Sequence, residues 1–208
     1  MPAGRRKEYW AFDTEYVAHG LKVEDDVCNF GFSNNFDESY VFRRPDYVRH
    51  FIDQKRFRKL FVWTLKPEFG SLASWALLGK RFQSNPLNCV DVDAPTVQRF
   101  KFERSNGKIT MVYDVQGFFK NMRWRGLRLG QLENTAKYLG DFYQDPSIFK
   151  PSVPSEWFGK RKPRSKHEWK ILDERVRRDA FATAKAAEFL ETKLIGTLLP
   201  EPKLSSYR

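Results

Sequence analysis

A chain of 208 residues with 41% hydrophobic and 16% aromatic residues has the composition of a globular domain, which excludes a disordered or low-complexity polymer. Its 37 Lys and Arg against 26 Asp and Glu leave a net charge of +11, a balance that favours polyanions, and nucleic acid first among them, as partners. Two cysteines, Cys28 and Cys89, make neither a disulfide framework nor a zinc site, and no apolar run approaches the ~20 residues that span a bilayer, so the expectation is a soluble cytoplasmic protein with reduced thiols and no membrane partner.

In chain order, a basic tail over residues 1–7 leads into a strand over 8–17, followed by strands at "VCNFGFS" (27–33) and "SYVFRR" (39–44) with the turn "NNFDE" between them. "PDYVRHFIDQKRFRKL" (45–60) predicts a helix opened by a proline, with Val48, Phe51, Ile52 and Leu60 apolar. "LFVWTL" (60–65) predicts a short buried strand, and "EFGSLASWALLG" (68–79) a helix closed by Gly79. "TVQRFKFERSNGKITMVYDV" (96–115) predicts a hairpin turning at Asn106-Gly107, and "LGQLENTAKYLG" (129–140) a helix ending at its glycine. Residues 141–165 hold four prolines and predict a long irregular segment. One long helix follows from His167 to about Ile195, then a tail over 197–208. This order predicts an α/β domain over 8–196 with a mixed sheet, antiparallel first and parallel after the crossover.

Within "YWAFDTEYVAHG" (9–20), alternation puts Asp13 and Glu15 on one strand face with Tyr9, Ala11 and Val17. Two carboxylates about 7 Å apart at Cα can share a divalent cation and repel without one. The plain alternative is a solvated face. The last helix carries an apolar stripe of Trp169, Leu172, Val176, Thr183, Ala187, Leu190 and Leu194, and Asp179 falls in the middle of it. A buried carboxylate needs a cation, a hydrogen-bond network or a proton, so Asp179 either pairs with Arg175 or Arg178 or completes a metal cluster with the strand pair. A further carboxylate would come from Glu68, in the first turn of a predicted helix, or from Asp114, at a strand end where an Asp just as often starts a turn.

Four such acids suit two Mg²⁺ or Mn²⁺ ions and phosphodiester hydrolysis. Nine Lys and Arg crowd residues 160–178, and Lys120, Arg123, Arg125 and Arg128 form a second basic group. Trp157 and Phe158, beside Lys160, Arg161, Lys162 and Arg164, make a candidate surface for single-stranded nucleic acid, with rings for bases and cations for phosphates; the plain alternative is core anchors and a solvated face.

The stretches "FDTE", "TLKPEFGSL" and "RVRRDAFAT", in this order, resemble the three exonuclease motifs of DEDD-type 3′–5′ exonucleases. The chain is most similar to the proofreading domain of protein-primed family B DNA polymerases, and "VYDVQGFF" and "LGQLENTAKYLG" extend that likeness across most of residues 8–195. The resemblance implies an RNase H-like fold, metal-ligand roles for Asp13, Glu15 and Asp179, and Glu68 where the family usually has Asp. It implies 3′–5′ hydrolysis of DNA from a single-stranded end, with a polymerase or replication protein as a separate partner. RNA as substrate and endonuclease action stay open on the same scaffold. Two positions depart from the pattern: Thr64 stands where the family has Asn, and Arg175 where it has the Tyr or His that positions the attacking water. A guanidinium one helical turn before Asp179 can pair with it and compete with a metal, so the rival expectation is a non-catalytic nucleic-acid-binding module; turned away from Asp179, Arg175 would instead contact a phosphate of the nucleic acid.

Overall fold

Alternating apolar residues in Trp10–Tyr16 (β1) give the strand two buried faces, and the fold is built outward from it. A computed structural model of the chain describes residues 7–17, 27–64, 90–94, 97–104, 106–149 and 156–194. In chain order β1 is followed by β2 (Val27–Asn34), β3 (Ser39–Phe42), α1 (Pro45–Lys55), β4 (Lys59–Val62), β5 (Val90–Ala94), β6 (Val97–Glu103) and β7 (Ile109–Asp114). Then come a single turn, α2 (Gln116–Phe119), a small hairpin of β8 (Arg123–Trp124) and β9 (Leu127–Arg128), α3 (Leu132–Tyr143), and α4 (Lys166–Phe189) prolonged by a π-helical turn over Leu190–Leu194.

Strands β1 to β7 form one sheet in the order β3-β2-β1-β4-β7-β6-β5. The outer pairs are antiparallel, while β1, β4 and β7 run parallel at the centre, so the sheet is mixed as expected. Its two faces bury separate cores. Tyr9, Ala11, Phe61 and Tyr113 pack under α3 and α4 with Leu139, Phe181 and Ala187. Trp10, Phe12, Phe32 and Val112 pack on the opposite face against Val48, Phe51 and Ile52 of α1. A sheet with helices on both faces leaves its strands apolar throughout, and a carboxylate inside such a strand is an anomaly that needs a cause.

Several elements differ from the sequence reading. Helix α1 stops at Lys55 because Arg56 turns left-handed (φ 53°), and its N–H donates to the Ile52 carbonyl; Phe57 and Leu60 then enter the sheet core instead of continuing the helix face. Helix α3 runs through Gly140 to Tyr143 and ends at a left-handed Gln144. Gly140 is there for space, since a Cβ at that position would lie 2.3 Å from the Phe149 ring. Strand β5 was not foreseen: "VDVDA" carries two strand-averse aspartates, and its pairing with β6 overrides that preference. The helix expected over 68–79 and Cys89 lie outside the described residues.

Candidate metal centre

The site begins with how closely α4 approaches the sheet. Asp13 of β1 pairs with Gly31 of β2, and Glu15 pairs with Asn29. A Cβ on Gly31 would sit 2.7 Å from the Val176 carbonyl oxygen, so the helix backbone lies directly on the strand pair at the level of Asp13. That contact carries the Arg175 to Asp179 turn over the two strand carboxylates. A register shift follows between the Glu15–Asn29 and Tyr16–Val27 pairs. It leaves Cys28 as the extra residue, which joins Val17, Trp157 and Leu172 in a third small core.

Asp13, Glu15 and Asp179 are 7%, 8% and 4% exposed, and each offers a carboxylate oxygen within 4.8 Å of those of the other two. Three buried carboxylates this close repel one another strongly, so the arrangement calls for positive charge. Part of it is Arg175. Its Nε donates to Glu15 Oε1 at 2.6 Å, its terminal nitrogen lies 4.0 Å from Asp179 Oδ2, and its guanidinium stacks 4.3 Å from the centre of the Phe158 ring. Burial works against the Arg175 charge, but Glu15, Asp179 and Asp13 more than offset it and hold the guanidinium above its ordinary pKa. Helical spacing offers Asp179, one turn along the helix, as a partner for Arg175, with a phosphate of the nucleic acid as the alternative. The structure gives Arg175 chiefly to Glu15, a partner across elements that helical spacing does not reveal.

The donor set fits a divalent ion. All three ligand atoms are hard carboxylate oxygens, suited to Mg²⁺ or Mn²⁺. Asn29, fully buried and directly opposite Glu15, adds a neutral oxygen on the same sheet face. Its Nδ2 donates to Asp173 Oδ1 at 2.9 Å, while its Oδ1 is buried with no hydrogen-bond partner. Asn29 was missed in the sequence, where the signal was an amide inside the apolar run "VCNFGF".

The other candidates fall in different places. Asp114 stands outside the three-carboxylate group; its Oδ1 accepts from the Gly117 N–H at 3.1 Å, the turn-starting role a strand-end Asp often takes. Glu68 lies outside the described residues. Trp157 is only 9% exposed and lines the third core, so it is an anchor rather than an open stacking surface. Phe158 is half-buried, with its ring under Arg175. Lys160, Lys162 and Arg164 are exposed, whereas Arg161 makes a two-pronged contact with Glu168, at 2.7 and 2.9 Å. The second basic group sits at the β8–β9 hairpin, where Arg123, Arg125 and Arg128 are exposed.

No family model and no curated protein matches the sequence. Among solved structures, the chain is similar to phi29 DNA polymerase complexed with primer-template DNA and incoming nucleotide substrates, at 14% identity and a TM-score of 0.49, over 91% of this chain and 32% of that one. It is similar also to phi29 DNA polymerase complexed with single-stranded DNA, at 13% identity and a TM-score of 0.46, over 89% of this chain and 31% of that one. The chain thus spans just under a third of the length of these polymerase chains. At this identity and TM-score the likeness speaks for neither activity nor substrate.

Proposed function

We propose that the protein is a metal-dependent nuclease and, more finely, a 3′–5′ exonuclease acting on single-stranded DNA ends from an RNase H-like fold. The observation that carries this reading is the gathering of Asp13, Glu15 and Asp179 into one buried, all-oxygen group beneath α4. Support for the finer terms comes from the resemblance of "FDTE", "TLKPEFGSL" and "RVRRDAFAT" to the three exonuclease motifs, and from the net charge of +11.

Mg²⁺ or Mn²⁺ bound here as a pair would supply a water of lowered pKa and stabilise the departing 3′ oxygen. The chain's own part is to present the ligands. Asp13 and Glu15 project from one strand face, held rigid by pairing on both sides of β1. Asp179 reaches them from a helix seated on Gly31. Glu68 is proposed as the further acid. Phosphates approaching the group meet Lys160, Lys162 and Arg164 on the segment before α4.

The test is hydrolysis of a 3′-labelled single strand with Mn²⁺. Activity should vanish with EDTA and in Asp13→Ala, while DNA binding by Asp13→Ala persists or tightens because a charge repelling phosphate is gone. Wild-type rates in Asp13→Ala would refute the assignment.

A second reading is favoured by one contact. The Arg175–Glu15 pair supplies a cation from within the chain, as a binding module that had lost its chemistry would. Tight DNA binding without hydrolysis, in the wild type and in Arg175→Tyr alike, would select that reading.

A further inference from the structure

The seat of Arg175 is built from three separate elements. Glu15 comes from β1, Asp179 from α4 and Phe158 from the segment before α4. The side chain is 21% exposed, and the 2.6 Å charge-assisted bond to Glu15 is short for its kind. An exposed arginine paired to one acid gains little, because holding a long side chain in place offsets most of the attraction. Here the guanidinium lies over a ring while its nitrogens meet two carboxylates, an arrangement suited to Arg and poorly matched by Lys.

The charges count in the same direction. Asp13, Glu15 and Asp179 carry three negative charges, and the guanidinium returns one of them. A metal that draws on Glu15 takes the oxygen-bearing group that holds Arg175, and two cations cannot share that space cheaply.

We propose that Arg175 is an internal counter-cation of the carboxylate group, and that its seating on Glu15 and Phe158 competes directly with divalent-metal binding. The proposal rests on the reading of Asp13, Glu15 and Asp179 as metal ligands. Arg175 is on this account a positioning residue that sets how readily the site loads, and Phe158 is the brace that keeps it there.

The experiment is calorimetric titration of the full chain with MnCl₂, without DNA, on wild type, Arg175→Gln and Phe158→Leu. Arg175→Gln should bind Mn²⁺ about tenfold more tightly or better, since one positive charge within contact distance of the ligands is gone. Phe158→Leu keeps every charge but loosens the seat, and should tighten binding by a smaller factor. A gain in affinity cannot come from misfolding, and Phe158→Leu leaves the carboxylate pairing intact should Arg175→Gln fail to fold. Equal Mn²⁺ affinity in Arg175→Gln and wild type overturns the competition while leaving the metal site standing. Tighter binding in Arg175→Gln with none in Phe158→Leu reduces the effect to the general field of a nearby charge and overturns the seat. No Mn²⁺ binding by any of the three overturns the metal reading and this proposal with it.

Discussion

At Gly31 one missing methyl group decides the geometry of the site. The Val176 carbonyl lies where a Cβ would be, at 2.7 Å, and this is backbone rather than a side chain that can swing aside. Gly31→Ala should therefore lift α4 off the strand pair, costing about 1–3 kcal/mol as an overpacked contact does. It should also weaken Mn²⁺ binding by separating Asp179 from Asp13. Thermal unfolding and a metal titration on the same variant check both, and an Ala variant with unchanged stability would show that the helix approach is not rigid. The carboxylates themselves were legible in the sequence for reasons that are local. Strand alternation put Asp13 and Glu15 on one face, and helical spacing put Asp179 on a buried stripe. What was not legible depends on contacts between elements. Nothing in the spacing of α4 could assign Arg175 to Glu15, or distinguish Trp157 as a core anchor from a stacking surface.

The start of α4 shows the same division between local and long-range information. Ser165 and Glu168 have the spacing of a capping pair, and Ser165 Oγ accepts from the Glu168 N–H at 3.1 Å. Glu168 also gathers the preceding segment, accepting two bonds from Arg161 and one from the Arg164 backbone N–H. These bonds, the Arg161 guanidinium foremost, hold the Glu168 carboxyl down at about 2, against an ordinary 4.5. A carboxyl lowered in the folded state contributes stability that is full above the unfolded value. That contribution is lost as pH falls from about 4.5 toward 2. Glu168→Gln should thus melt below wild type at neutral pH, with the gap narrowing as the pH is brought below the unfolded value. A gap that stays constant through that window would mean the Arg161–Glu168 pair adds nothing to folding. Other boundaries were read less well because tertiary packing bears on them: α1 ends where Phe57 enters the core, Gly140 lies inside α3 with the Phe149 ring where a Cβ would be rather than capping the helix, and β5 forms by pairing with β6.

For the whole molecule the charge of +11 is a statement about partners, but the cations are not equally available. Arg161 is held by Glu168, Arg177 and Arg178 by Glu174 and Asp37, and Arg43 by Asp173. The sequence alone sets Lys160, Arg161, Lys162 and Arg164 side by side as candidate phosphate contacts, with a solvated face as the alternative. The pairing of Arg161 argues for a different division of labour. Lys160 and Arg164 are exposed on the segment that leads into α4, close in sequence to the Phe158 brace of the site. Each phosphate neutralised on a single strand contributes about −0.7 to the slope of log affinity against log salt, so replacing these two by Ala should flatten the slope by about 1.4. Arg161→Ala should leave the slope nearly unchanged and lower the melting temperature instead, since it removes the Glu168 contacts. Titrations of a labelled single strand at several salt concentrations, with Ca²⁺ in place of Mn²⁺ to suppress hydrolysis, measure both. If Arg161→Ala flattens the slope as much as a replacement of Lys160 does, the guanidinium leaves Glu168 for phosphate when DNA binds. The basic segment would then release its tie to α4 on binding, and the brace on Arg175 would be coupled to the arrival of substrate.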